Sequence, residues 1–345
     1  MTLVERRISR RGFLGMAAIA LGAGTGLGVA RCDPRLLEPH LNDGRAGNPP
    51  ADPPLSWVWQ FASDGHPATV RNALASRNAG VLLKTHDGLD WMRRYDSSIY
   101  AVSGPAQVEV LAEYFEERAV PFHAWCVIKG IDPDAEAGMA ADVLAAGARS
   151  IHLDFEPHAG FWRGDAAAAK RLGQRLRLRF PDADIWLSLD PRPWQIARLP
   201  VAAIAPYATG FSPQVYWETF IDNANKYRES GYDPGPAGIT PEFILEVAYD
   251  ALKSYGLPLH PVGQGASTNL DKWRRFLGYS ATLNTPMPSV WRFGVTPDTV
   301  WQVVLDPRSR RPLPRLDLRR LPSATPTPTP QPVNLAPTQS WGRSD

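Results

Sequence analysis

Asp154 and Glu156 stand two residues apart in the run Ile151-His152-Leu153-Asp154-Phe155-Glu156. The alternation predicts a β-strand with Ile151, Leu153 and Phe155 on one face and His152, Asp154 and Glu156 on the other. On such a strand the two acidic α-carbons lie roughly 6.6 Å apart and the carboxyls face the same way. Two acids that close do not readily ionise together. The spacing therefore predicts one raised pKa, assigned to Glu156, and a carboxylic acid that keeps its proton near neutral pH. A protonated acid beside an ionised one is what glycosidic cleavage requires. The same pair could instead be salt-bridged to Lys84 or Arg292 in a structural network.

Neighbouring runs repeat the pattern. Ile185, Leu187 and Leu189 alternate with Trp186, Ser188 and Asp190, while Ser212, Gln214 and Tyr216 form the polar set of Gly210–Tyr216. Lys84 shares that character on an earlier run, with His86 just beyond it. Acids, amides and hydroxyls inside a packed core are costly unless paired or functional. Of the 12 tryptophans, all but Trp341 fall within 55–305. Their faces stack on the apolar faces of sugar rings and their N–H groups donate hydrogen bonds. Trp59, Trp125 and Trp291 sit near strand ends, and Trp162 follows the acidic strand as a candidate platform.

These residues need a scaffold. Short apolar runs recur at 57–61, 80–85, 121–128, 150–156, 184–190, 210–216, 259–263 and 289–293, separated by helical patterns. Asp132-Pro133, Asp165, Thr240-Pro241 and Thr296-Pro297 mark helix starts. Strand–helix alternation over residues 55–305 predicts an α/β fold, a single (β/α)8 TIM-type barrel. Asp154, Glu156 and Asp190 then lie at the C-terminal strand ends, where barrels keep their chemistry. An open doubly wound sheet is the rival. No glycine-rich phosphate loop follows the first strand, and no cofactor is expected.

The ends of the chain differ from this body. Ser9-Arg10-Arg11-Gly12-Phe13 followed by a weakly apolar Gly/Ala run reads as a twin-arginine signal peptide over 1–30. The alternative is an uncleaved anchor. Arg31 before Cys32 is wrong for lipid attachment. Residues 31–54 carry six prolines and read as a linker, and residues 306–345 carry nine prolines and seven arginines and read as an extended, disordered tail. With both termini basic and the net charge only +2, the body is mildly acidic, which argues against nucleic acid as a partner. Two cysteines make no disulfide framework, and Cys126 reads as a core thiol. The expected location is periplasmic, cell-surface or extracellular, with the twin-arginine export machinery as a partner and the mature protein a monomer.

The acidic strand resembles the Asp-x-Glu strand of glycoside hydrolase families 18 (chitinase-like) and 25 (lysozyme-like). Gln214-Val215-Tyr216-Trp217 is similar to the Gln-x-Tyr of family 18, Trp291 fits a tryptophan of that family's eighth strand, and 81–88 is similar to the second strand of family 25. The resemblance implies Glu156 as general acid, Asp154 as the residue that stabilises the charged intermediate, and Gln214 and Tyr216 as groups holding it. Asp190 is an alternative nucleophile or base. In family 18 the substrate's acetamido group is the nucleophile, which would suit N-acetylated glycans. Candidate substrate contacts are Gln214, Trp291, Trp59, Trp125, Lys84, His86, Gln60 and Trp162.

Two departures keep other readings open. The positions of further family 18 aspartates hold His152 and Arg149, and Gln60 stands where family 25 has an aspartate. A barrel that binds a polysaccharide or cell-wall glycan without cleaving it would keep the rest. A metal-dependent hydrolase would need His86, His123, His152, Asp154 and Asp190 to converge.

Overall fold

The computed structural model describes residues 53–320; the stretch read as a twin-arginine signal, 1–30, and most of the stretch read as a linker lie outside the described residues. Eight parallel strands form a closed ring: β1 (Leu55–Val58), β2 (Gly80–Asp87), β3 (Phe122–Val127), β4 (Ser150–Asp154), β5 (Asp184–Leu189), β6 (Gly210–Val215), β7 (Val262–Gln264) and β8 (Ser289–Trp291). Closure is the pairing of β1 with both β2, through Val58 and Leu83, and β8, through Ser56 and Val290. This is a (β/α)8 barrel, and the open-sheet alternative is excluded.

A helix follows each strand: α1 (Pro67–Ser76), α2 (Pro105–Glu116), α3 (Pro133–Ala145), α4 (Ala166–Arg179), the short α5 (Val201–Ile204), α6 (Pro241–Leu252), α7 (Leu270–Thr282) and α8 (Asp298–Leu305). Three starts follow the expected chemistry. Asp132, Asp165 and Thr240 accept hydrogen bonds from the backbone N–H groups of Ala135, Ala168 and Phe243. The fourth differs. The Thr296 hydroxyl donates back to the Arg292 carbonyl at 2.8 Å, and α8 begins two residues later. Among the described residues, no helix is long and apolar enough to cross a membrane.

Strand alternation divides the apolar residues into two layers. Ile151, Leu153 and Phe155 belong to the outer core beneath the helices, with Ile185, Leu187, Leu189 and the buried Cys126. The barrel interior holds a smaller set, Leu55, Trp57, Leu82, Trp125, Val127 and Val262. The side chains inside the C-terminal half are therefore aromatic and polar rather than branched aliphatic, unlike an ordinary barrel filling.

The expectation of a disordered tail from residue 306 is corrected over 306–320. Leu313 exchanges hydrogen bonds with the Thr282 hydroxyl at 2.7 and 2.8 Å, and the Leu316 N–H donates to the Tyr279 hydroxyl at 2.9 Å. Arg315 pairs with buried Glu246 on α6 at 3.0 Å, and Arg310 donates to the Thr285 and Pro286 carbonyls. Gly278 lets the strap approach α7: a Cβ there would stand 2.8 Å from the Arg311 carbonyl oxygen. Residues 319–320 pair antiparallel with 232–233. A composition poor in apolar surface misleads here because arginines satisfy carbonyls and a carboxylate while Leu313 and Leu318 pack against the core. The rest of the tail lies outside the described residues.

Candidate active site

The floor of the C-terminal cleft is a triangle of tryptophans. Trp57, Trp125 and Trp291 meet edge to face with ring centres 5.3–5.7 Å apart. Trp57 Nε1 donates to Ser289 Oγ at 2.9 Å and Trp125 Nε1 to the Val58 carbonyl at 3.1 Å, which fixes both rings. Asp64 ties the ends of β1 and β8 together. It accepts from the Trp59 N–H at 2.6 Å and from the Gly294 N–H at 3.2 Å, and it pairs with Arg292. The Trp291–Arg292 peptide is cis. The Arg292 guanidinium stands 5.1 Å from the Trp59 ring centre.

Asp154 and Glu156 stand on this floor, in a cleft of about 210 Å³ also lined by Trp59, Lys84, Phe161, Gln214 and Tyr216. Gln214 holds the pair. Its Nε2 donates to Glu156 Oε1 at 2.6 Å, to Asp154 Oδ1 at 3.1 Å and to Ser188 Oγ at 3.2 Å. The two carboxyls share a hydrogen bond. Burial pushes Asp154 well above the usual carboxylate range, the Glu156 charge adds to the effect, and Lys84 opposes it. Burial also raises Glu156, opposed by Gln214, while the Asp190 charge reinforces it. Within the pair, the shared hydrogen bond raises Asp154 and lowers Glu156. Both acids of the pair are thus held above the usual carboxylate range, Glu156 as expected and Asp154 with it. Asp154 is the more deeply enclosed. Tyr216 stays protonated, because burial pushes its hydroxyl well above 10 and the surrounding acids push it further.

Neither expected cation salt-bridges the acids. Lys84 Nζ bonds Asp87 at 2.8 Å and lies 4.9 Å from the Trp125 ring centre, while Arg292 belongs to Asp64. The structural ion-pair network considered for the acids is not formed.

Four candidates lie away from the cleft lining. His86 is displaced by a bulge: the register of β2 against β3 shifts between Lys84 and His86, so Lys84 pairs with Trp125 and His86 with Cys126. One extra residue moves the imidazole to the outer face, where it packs on Trp91 and shares a hydrogen bond with Thr85 at 2.9 Å. Gln60 turns to the Tyr95 carbonyl at 3.0 Å. Trp162 is 7% exposed and lies against Phe155 in the outer layer, with Gly130 and Gly164 leaving space for its ring. Phe161, one residue earlier, is the aromatic that faces the cleft. Asp190 is buried behind Glu156 and clamped by Arg192, whose Nε stands 2.9 and 3.0 Å from its two oxygens.

Sequence reasoning missed His158. Its Nε2 lies 3.5 Å from Glu156 Oε2 and 3.4 Å from Asp190 Oδ2. A lone loop histidine carries no periodic signal, and only the fold brings it between the two strand ends.

A second cavity of about 260 Å³ opens at the opposite, N-terminal mouth and is lined by His123, His152, Trp186 and His260 among others. Burial holds His123 down to about 3 and His152 well below its ordinary value. The side chains considered for a metal do not converge: His86 is outside the barrel, His123 faces this far mouth, and Asp190 is held by Arg192. Among the described residues, no cluster of ligating side chains suits a metal ion.

No family model and no curated protein sequence matches this chain. Among solved structures, it aligns with a family 18 chitinase from Pseudoalteromonas aurantia at 12% identity and TM-score 0.47, covering 72% of this chain and 97% of that one. Active domain 2 of a thermostable chitinase from Pyrococcus furiosus aligns at 11% identity and TM-score 0.49, covering 76% and 96%. Dihydrodipicolinate synthase from Rhodopseudomonas palustris aligns at 12% identity and TM-score 0.40, covering 74% of each chain. Such likenesses belong to a scaffold that hosts many chemistries, and they carry no argument about activity. They do not show a likeness to family 25.

Proposed function

We propose that this chain is an exported glycoside hydrolase acting on an N-acetylated polysaccharide or cell-wall glycan. The observation that carries the reading is the hydrogen-bonded Asp154–Glu156 pair, held by Gln214 above a tryptophan floor. Glu156 is the general acid. Its Oε1 is anchored by Gln214, and Asp154 is the partner acid beside it. Carboxyls acting separately in glycosidases stand about 5 to 9.5 Å apart, across the sugar from one another. A hydrogen-bonded pair is closer than that, so Asp154 supports Glu156 instead of attacking carbon. Asp190, clamped by Arg192, is poorly placed to activate a nucleophile. The attacking group then comes from the substrate, which favours a sugar carrying an acetamido arm. Tyr216 remains a hydroxyl donor for that arm as charge develops on it.

The tryptophan triangle offers flat apolar surface to a sugar ring, with Lys84 at its edge. The test is hydrolysis of chitin oligosaccharides, peptidoglycan fragments and non-acetylated polysaccharides by the mature protein and its Glu156→Gln variant. Cleavage confined to acetylated glycans and lost in the variant supports the reading. Binding without cleavage by both proteins would leave a glycan-binding barrel.

A further inference from the structure

We propose that His158 is a positioning residue that supplies the compensating positive charge for Glu156 when that side chain is ionised. For its effect on turnover this rests on the glycosidase reading; the charge coupling itself does not.

The two oxygens of Glu156 have different surroundings. Oε1 is bonded by Gln214 at 2.6 Å, while Oε2 faces His158 Nε2 at 3.5 Å. Once Glu156 has given its proton to a leaving group, a carboxylate only 13% exposed remains beside the Asp190 carboxylate, itself 4% exposed. Like charges at such depth oppose one another strongly. Arg192 neutralises Asp190 from one side, with its N–H and guanidinium both engaged. Among the described residues, the cationic side chain paired with Glu156 is His158, whose ring bridges the two acids and packs edge-on to Phe161. Glu156, Asp190 and, through Asp190, Arg192 are the charged groups around it.

His158 also lies where it can exchange a proton. Its side chain is 36% exposed, whereas both acids are enclosed. Its Nε2 lies between the two carboxylates, so a positive charge on the ring acts on both as Glu156 ionises. The His158 charge lowers the Glu156 pKa, in the same sense as Gln214 and against burial and Asp190.

His158→Gln keeps an N–H donor near the same position and removes the charge. The side-chain carboxyl carbons of the otherwise intact mature protein are followed by ¹³C NMR titration without substrate, with Glu156→Gln assigning the resonance. The Glu156 titration is expected to move up by about one pH unit in His158→Gln, the lower end for loss of a nearby opposite charge. His158→Lys, which restores the charge, is expected to return it toward the wild-type position. The basic limb of glycan hydrolysis should move with it. A folded His158→Gln protein whose Glu156 titration stays in place overturns the proposal, and the glycosidase reading stands if hydrolysis persists. A titration that moves while neither protein cleaves an acetylated glycan supports the charge coupling and removes the glycosidase reading.

Discussion

Replacing Glu156 by glutamine separates chemistry from architecture. The amide is nearly isosteric, and its oxygen can still accept from Gln214 Nε2, now 2.6 Å from Oε1. Hydrogen bonds to a charged acceptor contribute about 1.5–3 kcal/mol, and neutral ones about 0.5–1.5. The exchange therefore gives up about 1 kcal/mol of bonding and removes a buried ionisable group of comparable cost. Stability should stay within about 1 kcal/mol, which is roughly 2–4 °C in Tm for a domain of this size. Turnover should fall at least 100-fold, the loss expected when a positioned proton donor is removed, or about 2.7 kcal/mol of transition-state stabilisation. Thermal unfolding and hydrolysis of acetylated oligosaccharides are measured on the same preparation. A variant that folds and cleaves at the wild-type rate refutes the reasoning. So does one that loses activity only because it melts far below the wild type.

Asp154→Asn keeps a hydrogen-bond donor beside Glu156, so carboxyl titration should show Glu156 little moved while turnover falls more than 10-fold. A chain ending at Leu305 is expected to melt several degrees below one ending at Leu321 in thermal unfolding, since it removes Arg315 from buried Glu246 together with the strap's hydrogen bonds to Thr282 and Tyr279. His123 is held down to about 3 by burial, so between that value and 6.5 the unfolded chain binds a proton that the folded one refuses. Its contribution favours the fold above pH 6.5 and is lost as pH falls, about 2–3 kcal/mol by pH 4.5, and His123→Gln should flatten the acid side of a Tm-against-pH curve. Replacing Arg10 and Arg11 together by lysine should leave the precursor in the cytoplasm, measured by fractionation and immunoblotting, if the twin-arginine reading of 1–30 holds.

What the chain reveals about itself follows from where its periodicity survives. Residues 151–156 alternate without interruption, so the inward acids could be assigned before any coordinates. The helix starts at Asp132, Asp165 and Thr240 follow local capping chemistry, which needs no tertiary context. His86 could not be placed this way, because the bulge beside Thr85 inverts the parity and leaves no trace in residue type. Trp162 and Phe161 are adjacent aromatics in a loop, and only the room left by Gly130 and Gly164 decides which is buried. Asp190 and Arg192 are close in sequence, but the bridging His158 joins the ends of β4 and β5, a relation that spacing along one strand does not encode.

The seam between the first and last strands has a consequence for how the protein is made. Trp57 bonds Ser289 across 232 positions of sequence, and Asp64 reaches Arg292 across 228. The aromatic floor thus needs the first and last strands as well as Trp125 on β3. It does not exist in any nascent fragment that lacks the final strand. Contacts this distant close late and slowly, because the intervening chain must be ordered first. Sugar binding to that floor would therefore report completion of the whole ring, and a ligand added during refolding would select for molecules that have closed it.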